Sequence, residues 1–457
     1  MENLKHTVKD LSNGGFVLVL DTGAKIDPQA EAMIQALHSR STGGIHSHLS
    51  VLRDKGAENF MEKFYVGYGH KSIGDCGRAT IFVEGVSMLA AKAIQDWRLY
   101  SGQEASTRYI DFSEQTFINP LGTPEGEKML EDMRTFYLKA QKPVQDHLKS
   151  LFPREEGQKE SVYEKAITAR AFDITRGLLP AGASTNVAWS MNLRQFADEL
   201  MLLRHHPLAE VQEIAEKTEA ALFEAYPQSF GHKRYDQTEA YNQACMQDYY
   251  YHDHESPEFE LVHDGVNRDI LKNYRNELEK RPAKTELPPY VADSGILTYD
   301  YLLDFGSFRD IQRHRAVVQR MPLLTIDHGF EPWYLESFPP SMLTELKAFL
   351  YDHQEQLRHL KASKEIKQYY TAMGYRISCR ISGDIRALVY LGELRATRFV
   401  HPTLVKRAGA LLDSLEALFG EYGLVIHRDD TPNQFDVKRG EHDIVIKEEK
   451  QTTEQSV

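Results

Sequence analysis

The sequence predicts an α+β fold that contains two diverged copies of one module. Short apolar segments such as 14–21, 78–85 and 259–264 have the length and composition of strands, whereas the long segment 123–152 has the periodicity of an amphipathic helix. The order of such segments in the first half of the chain recurs in the second half. The length of 457 residues is too long for one ordinary core, which also favours two copies or two domains.

Helix boundaries in the first half follow from proline and from capping residues. A helix over 27–40 begins at Asp27, with Pro28 in the first turn, where the missing N–H of proline costs nothing. A helix over 161–180 ends at Pro180, since proline cannot continue the hydrogen-bond ladder. The other predicted helices of this half cover 56–69, 86–100, 123–152 and 194–230.

The second half repeats this order after a polar, tyrosine-rich segment at 236–259, which matches no element and is interpreted as a seam. The predicted modules are therefore residues 1–235 and 236–440. Residues 441–457 form a charged tail that is predicted to be disordered. The predicted elements of the second half cover 259–264, 267–281, 296–315, 340–362 and 401–420.

A local repeat supports the duplication. Three marks occur in the same order in both halves: a polar residue two positions before an arginine, then Leu-Arg, then His-Pro. Coincidence is the alternative, because arginines on helices are common and usually solvated. The marks are Asn192-Leu-Arg194, Leu203-Arg204 and His206-Pro207 in the first half, and Asp384-Ile-Arg386, Leu394-Arg395 and His401-Pro402 in the second.

Composition excludes several classes of protein. The net charge of −13 disfavours binding to nucleic acid polymers, and no apolar run approaches the roughly 18–20 residues that span a bilayer. Three scattered cysteines give neither a disulfide framework nor a zinc spacing, so the protein is placed in a reducing cytoplasm. The sequence HDHE at 252–255 lacks a companion ligand cluster, and no metal site is predicted.

Two stretches concentrate groups that bind anions. DWRLYSGQEASTRY at 96–109 contains two arginines, two serines and a threonine, and QRHRAVVQRM at 312–321 contains three arginines. Guanidinium groups pair with phosphate or carboxylate through two parallel hydrogen bonds. The alternative for each stretch is a solvated loop or helix face with incidental salt bridges.

The first half resembles the flavin-dependent thymidylate synthases over most of residues 14–230. The resemblance rests on GHKS at 69–72, on Arg98 followed by Ser106, Arg108 and Tyr109, and on RGLLPAGASTNVAWSMNLR at 176–194. In the second half it rests on QRHR at 312–315, DIR at 384–386 and LR at 394–395. It implies that each module is a small, mostly antiparallel sheet packed with long helices.

Each half has lost mainly what the other retains. The family signature Arg-His-Arg-x7-Ser begins as Asp96-Trp97-Arg98 in the first half, whereas Arg-His-Arg is intact at 313–315 in the second. In the second half Leu323 takes the place of the signature serine, and Gln368 takes the place of Arg176. Since the family builds its sites between subunits, this complementary loss predicts composite sites formed between the two modules.

The resemblance also implies the chemistry and the partners. The family converts dUMP to dTMP with FAD as cofactor and with methylenetetrahydrofolate and NADPH as co-substrates. It implies a homodimer that acts as a pseudo-tetramer. Catalysis is assigned to Arg395 and its first-half counterpart Arg204. The nucleotide is assigned to Glu104, Ser106, Arg108, Arg176, Gln312 and Arg313, and the flavin to Ser72, Arg98, Asn192, Arg194, Arg313, His314 and Arg315.

Two alternatives stay open on sequence grounds. The altered signature fits a related flavoenzyme that acts on another pyrimidine nucleotide. It also fits a non-catalytic member that binds nucleotide or serves as a partner subunit.

Overall fold

The computed structural model describes residues 6–20, 27–38, 44–58, 61–63, 71–105, 112–251 and 257–429. These residues form two antiparallel sheets surrounded by helices, which confirms the predicted α+β class. No helix of the described ranges is both long and apolar enough to cross a membrane.

The first sheet has five strands in the order β1-β2-β3-β5-β4, all paired antiparallel. Its strands are β1 (His6–Asp10), β2 (Phe16–Leu20), β3 (Arg78–Ser87), β4 (Gly102–Glu104) and β5 (Ser184–Asn192). The helices described in this half are α1 (Pro28–His38), α2 (Gly44–Lys55), α3 (Met88–Gln95), α4 (Pro124–Leu151), α5 (Glu160–Thr175), α6 (Leu193–Leu203), α7 (Ala209–Ala225) and α8 (Pro227–Phe230).

The second sheet has four strands in the order β6-β7-β9-β8, again antiparallel. Helix α9 (Asp236–Tyr250) precedes it. The strands are β6 (Phe259–Asp264), β7 (Ile296–Asp304), β8 (Val318–Arg320) and β9 (Arg376–Asp384). The helices are α10 (Arg268–Lys272), α11 (Arg275–Lys280), α12 (Phe305–Ile311), α13 (Pro332–Glu336), α14 (Pro340–His359), α15 (Lys364–Lys367), α16 (Ile385–Arg395) and α17 (Pro402–Phe419).

The two sheets share one topology. The order β2-β3-β5-β4 in the first sheet corresponds to β6-β7-β9-β8 in the second, and in both the central pair is antiparallel. A helix follows each central strand directly: α3 and α6 follow β3 and β5, and α12 and α16 follow β7 and β9. This shared order is the arrangement expected of two copies of one module.

The halves join edge to edge through segments 177–182 and 369–374. Pro180 and Ala372 form an isolated antiparallel bridge, and each lies four residues before the strand that follows it, β5 or β9. Residues at equivalent positions therefore face each other, as across a twofold axis. The backbone bonds run from Ala181 N to Thr371 O (2.9 Å), Met373 N to Leu179 O (2.8 Å), Gly182 N to Tyr369 O (3.0 Å) and Gly374 N to Gly177 O (2.8 Å).

Apolar packing is continuous across the join. Ile81 and Trp189 of the first sheet and Tyr299 and Ile377 of the second belong to one cluster of buried side chains. A second cluster unites α4 and α5 with α14, where the rings of Phe136 and Phe349 stack 4.3 Å apart. Burial of this apolar surface stabilises the two halves as one unit.

Several sequence predictions differ from the structure in detail, and the helix predicted over 267–281 is divided into α10 and α11. The helix predicted over 194–230 is broken between Leu203 and Ala209, because Pro207 has no N–H and restricts the residue before it. The segment that matched no element contains the fifteen-residue helix α9, which we call the seam helix. The predicted helix over 56–69 lies partly outside the described residues, as does HDHE at 252–255.

Candidate functional site

The two anion-binding stretches face each other in the folded chain. The Nε and Nη2 atoms of Arg98 donate to the carbonyl oxygen of Arg315 at 3.1 and 2.9 Å. In return, Nη2 of Arg315 donates to the carbonyl oxygen of Tyr100 at 2.6 Å and to Ser101 Oγ at 3.1 Å. The structure thus joins residues 98–101 of the first half to residue 315 of the second.

Local structure explains this meeting. Helices α3 and α12 directly follow the central strands β3 and β7, and each begins at a side-chain cap. Ser87 Oγ accepts from Ala90 N, and Asp304 Oδ2 accepts from Ser307 N. The segments that follow these two equivalent helices are the ones that contact each other.

Arg313 belongs to the same contact. Its Nη1 atom donates to the carbonyl oxygen of Gly102 in β4 at 3.1 Å, while the residue stays exposed to solvent. Gly102 is essential to this edge, because a Cβ there would lie 1.8 Å from the carbonyl oxygen of Ala188. The guanidinium of Arg313, with five N–H donors, has capacity for an anion beside the first half.

Glu104 is buried where the halves meet. Its Oε1 atom pairs with Arg309 of α12, and its Oε2 atom accepts from Gln95 Nε2 at 2.6 Å. Both partners of the ion pair are less than a tenth exposed. Glu104 therefore links the first half to the second through charge, in addition to its predicted role toward a nucleotide.

Gln312 is the strongest sign of a ligand. It is 9% exposed, and within the described chain neither its Nε2 nor its Oε1 atom has a hydrogen-bond partner. It lines a cavity of about 230 Å³ together with residues 95–98 and 313–315. A buried amide without partners costs free energy, so a group that bonds to it is expected there.

The same cavity contains an unusual carboxyl group. Glu199 of α6 is buried, and the side chain of Trp189 approaches it as a hydrogen-bond donor. Burial, and secondarily the charge of Asp96, raises the pKa of Glu199 well above its ordinary value. A protonated Glu199 would offer one donor and one acceptor to the cavity.

Arg395 lies on the second-half side of the site. Its Nε atom donates to Nε2 of His314 at 2.8 Å, so the histidine proton is on Nδ1. Burial, together with the positive charge of Arg395, lowers the pKa of His314 to about 4. His314 is therefore a neutral acceptor at physiological pH and fixes the orientation of Arg395.

Arg176 of the first half also contacts helix α12. It is buried, its Nη2 atom donates to Ser307 Oγ at 3.2 Å, and it lies 3.6 Å from Asp310 Oδ2. Burial by itself lowers the pKa of Arg176, but Tyr334 and the acidic groups around it outweigh burial and raise it. Its Nε atom has no partner within the described ranges.

Arg204 is held in a separate ion network. Its Nη1 atom lies 3.2 Å from Glu219, and its Nη2 atom lies 2.9 Å from Glu239 of the seam helix. Arg395 and its counterpart Arg204 thus have different surroundings, and the catalytic role of each stays a prediction.

The remaining residues that the resemblance assigns to a flavin lie at the start of α6 or beside it. Asn192 Oδ1 accepts from Gln195 N at 2.8 Å and so caps the helix. Arg194 pairs with Asp75 at 2.9 Å, and its backbone N donates to Gly74 O beside the turn that carries Ser72.

One contact ties this group to the facing stretches. Trp97 Nε1 donates to Gln195 Oε1 at 2.9 Å, which brings the start of α6 against residues 96–98. Ser106 and Arg108 lie outside the described residues. Their predicted roles remain predictions, as do those of the other site residues.

Sequence reasoning missed Gln95, Arg309 and Glu199. Gln95 and Gln312 precede the two signature segments at equivalent positions, and this shared glutamine was a usable signal. Arg309 and Glu199 gave none, since their importance depends on which elements pack against them. Within the described ranges no group of three or more His, Cys, Asp or Glu side chains could hold a metal ion.

Comparison with known proteins extends the resemblance. Residues 24–228 match the family model of the thymidylate synthase complementing protein. UPF0159 proteins of Chlamydia pneumoniae and Chlamydia muridarum are 24% and 25% identical over 402 residues, which cover 74% of this chain and 75% of each relative. The UPF0159 protein of Thermoplasma acidophilum is 22% identical over 425 residues, or 76% of this chain and 84% of that protein.

A solved structure is also similar, at a lower level. The UMP/dUMP methylase PolB of Streptomyces cacaoi, bound with 5-Br dUMP, is 16% identical, with a TM-score of 0.33. The match covers 49% of this chain and 96% of that one.

Proposed function

We propose that the chain belongs to the thymidylate synthase complementing protein family, whose model is matched by residues 24–228, and that it is a flavin-dependent thymidylate synthase. The reaction is the reductive methylation of dUMP to dTMP, with methylenetetrahydrofolate as carbon donor and NADPH as reductant. The observation that carries the proposal is the contact between residues 98–104 and 309–315, which unites the retained halves of the family signature in one chain.

The proposed site is composite. Arg313 and Arg395 come from the second half, and Arg176 and the segment that begins at Glu104 come from the first. Arg176 and Arg313 both lie beside α12, since Arg176 contacts Ser307 and Asp310 of that helix and Arg313 follows it directly. A nucleotide phosphate beside Arg313 would then be held by both halves. This arrangement supports a tandem duplication with modules near 1–235 and 236–440.

The residues present fit a flavin and a pyrimidine. Gln312 offers an unpartnered donor and acceptor, which matches the alternating N–H and C=O groups at the edge of a uracil or an isoalloxazine ring. Residues 313–315, Arg98 and the start of α6 would hold the flavin. When bound, reduced FAD would supply the hydride, so no cysteine nucleophile is required of the protein.

In this proposal the role of Arg395 is electrostatic. A guanidinium against the N3–C2=O edge of uracil stabilises negative charge on the ring. Neutral His314 accepts a hydrogen bond from Arg395 Nε and adds no charge of its own beside the guanidinium group. We further propose a homodimer in a reducing cytoplasm; all three cysteines are free.

A direct assay tests the reaction. Purified protein is mixed with FAD, dUMP, methylenetetrahydrofolate and NADPH, and dTMP is measured by chromatography. A flavin absorption band that survives desalting and formation of dTMP are the expected results. A protein that binds no FAD and forms no dTMP refutes the proposal; turnover of another pyrimidine nucleotide alone refutes the substrate.

Substitution of Arg313 tests the composite site. Loss of one charge-assisted phosphate contact costs about 1.5–3 kcal/mol, so Arg313→Ala is expected to weaken dUMP binding roughly 10- to 150-fold. Arg53→Ala is the matched control, because Arg53 is an exposed arginine on α2. Isothermal titration with dUMP measures both. Unchanged affinity in Arg313→Ala contradicts the composite site.

A further inference from the structure

The twofold arrangement creates a second meeting place between the halves. At the first meeting place, which is the proposed site, Arg309 of α12 pairs with Glu104 of β4. In the second, Lys92 of α3 lies with its Nζ atom 3.5 Å from the carbonyl oxygen of Met321, directly after β8. Lys92 precedes Asp96 by four residues, as Arg309 precedes Arg313. The stretch around Asp96 and Met321 is therefore the counterpart of the proposed site.

This second place lacks the counterparts of two arginines of the proposed site. Asp96 stands where the proposed site has Arg313, and Gln368 stands where it has Arg176. The Gln368 Oε1 atom is already bonded to Leu324 N at 2.8 Å. A phosphate would meet a carboxyl group instead of two guanidinium groups, which disfavours binding.

The end of the seam helix lies in the same place, and its Tyr249 and Tyr250 also line the cavity beside Gln312. The hydroxyl group of Tyr250 donates to Asp96 Oδ2 at 2.9 Å, and the carbonyl oxygen of Tyr250 accepts from Leu323 N at 3.1 Å. The Tyr249 hydroxyl group donates to the carbonyl oxygen of Gln319 in β8, at 3.0 Å. Two consecutive tyrosines thus bond to both sides of the second meeting place.

These tyrosines are packed as core residues. Tyr250 is 5% exposed, and its ring meets the ring of His206 edge-on at 4.4 Å. The Lys92 ammonium lies 4.9 Å from the centre of the Tyr250 ring and 2.6 Å from Asp96 Oδ2. Every charged group of the cluster therefore has a protein partner, which leaves little reason for a ligand to bind.

The start of the seam helix engages the other part of the second place. Glu239 pairs with Arg204, the counterpart of Arg395, at 2.9 Å and with His205 at 2.9 Å. One helix therefore contacts the counterparts of Arg395 and of Arg313 at once. At the proposed site, by contrast, Arg313 is exposed and Arg395 is held by a neutral histidine.

We propose that the seam helix is an internal plug that permanently occupies the second composite site, so that each chain binds one nucleotide and not two. The inference rests on the proposed function in one respect, the identity of the nucleotide. Occupation of the second site by Tyr250 and Glu239 can be measured without any ligand.

Hydrogen exchange of the full chain tests the plug directly. Amides of residues 242–250 are expected to exchange slowly in the free protein and to keep that rate when dUMP is added. Tyr250→Ala is expected to speed their exchange at least tenfold, and Tyr250→Phe, which removes only the bond to Asp96, severalfold. Tyr241→Ala is the matched control, since Tyr241 lies on the same helix and is 69% exposed.

Equilibrium dialysis on the same samples counts bound dUMP, with one per chain expected. Two dUMP per chain, or faster exchange of residues 242–250 on dUMP binding, overturns the plug. Fast exchange of these residues in the free protein, or equal effects of Tyr250→Ala and Tyr241→Ala, also overturns it. If no dUMP binds, the proposed function fails, and the exchange rates without ligand still decide whether the plug exists.

Discussion

His314 illustrates how one residue sets the charge of the site. Its ring is neutral because burial and the neighbouring Arg395 oppose protonation, and this neutrality allows Nε2 to accept a hydrogen bond. A protonated ring would have no lone pair for Arg395 and would repel it. The intact Arg-His-Arg at 313–315 thus contains two cations and one neutral acceptor.

The neutral state of His314 predicts a pH dependence of stability. Its pKa is about 4 in the folded protein and near 6.5 in the unfolded chain, so the unfolded state binds more protons between these values. The free energy of unfolding should therefore fall as pH drops from 6.5 toward 4, by at most about 3 kcal/mol from this residue.

His314→Gln is expected to flatten that dependence. Urea unfolding of both proteins between pH 4.5 and 8 measures it, with His359→Gln as control, since His359 is exposed. Equal pH slopes in wild type and His314→Gln would contradict a buried, neutral His314.

At this scale the sequence predicted which stretches lie together but not the individual contacts between them. The pattern of retained and lost signature residues predicted that 96–109 and 312–321 belong to one site, and in the described parts these stretches meet. It did not predict that Glu104 pairs with Arg309. That contact depends on the position of the three-residue strand β4 beside β5, which local sequence does not specify.

At the scale of elements, tight backbone approach at the join limits substitution. A Cβ on Gly374 would lie 2.4 Å from the Phe330 ring and 2.9 Å from the carbonyl oxygen of Gly177. Gly374→Ala must shift the join and is expected to destabilise the protein by about 1–3 kcal/mol in urea unfolding.

Gly409 provides the matched control on α17. A Cβ at Gly409 would have no atom within 4 Å, and alanine is the better helix former. Gly409→Ala should raise the free energy of unfolding by roughly 0.5–1 kcal/mol. If Gly374→Ala were as stable as Gly409→Ala, the backbone contacts across the join would be wrong.

The elements also show where periodicity fails as a guide. Long amphipathic helices such as α4 and α14 were predicted because one face is apolar and buried. The seam helix was missed, since its buried positions include the polar residues Asn242 and Tyr250, and the Tyr250 hydroxyl group bonds to Asp96, which is 154 positions away in the sequence. The break before α7 was missed because Pro207 was outweighed by the helical pattern on either side.

At the scale of the whole molecule, the proposed homodimer predicts a mass. Light scattering of the purified protein should give twice the 52.4 kDa of one chain, independent of added dUMP. Two chains with two modules each would reproduce a four-module assembly. A strictly monomeric protein that still forms dTMP would show that one chain contains the whole site.

The twofold symmetry of the whole molecule could be predicted in part from the sequence. The repeated Leu-Arg and His-Pro marks predicted two modules, and the common strand order agrees with that prediction. The pairing of Pro180 with Ala372 was not predictable, because no local signal distinguishes a join between copies from an ordinary turn.

The seam helix belongs to the same chain as the second site, and this covalent link affects how well free nucleotide could compete for that site. Tyr250 belongs to the same chain as Asp96, so its effective concentration at the second site is on the order of millimolar, set by the chain and not by the solution. A metabolite at micromolar concentration would compete poorly with such a tethered group. The internal helix would thus keep the second site closed to nucleotide at any metabolite level that stays below its own local concentration, while the proposed site still responds to that level.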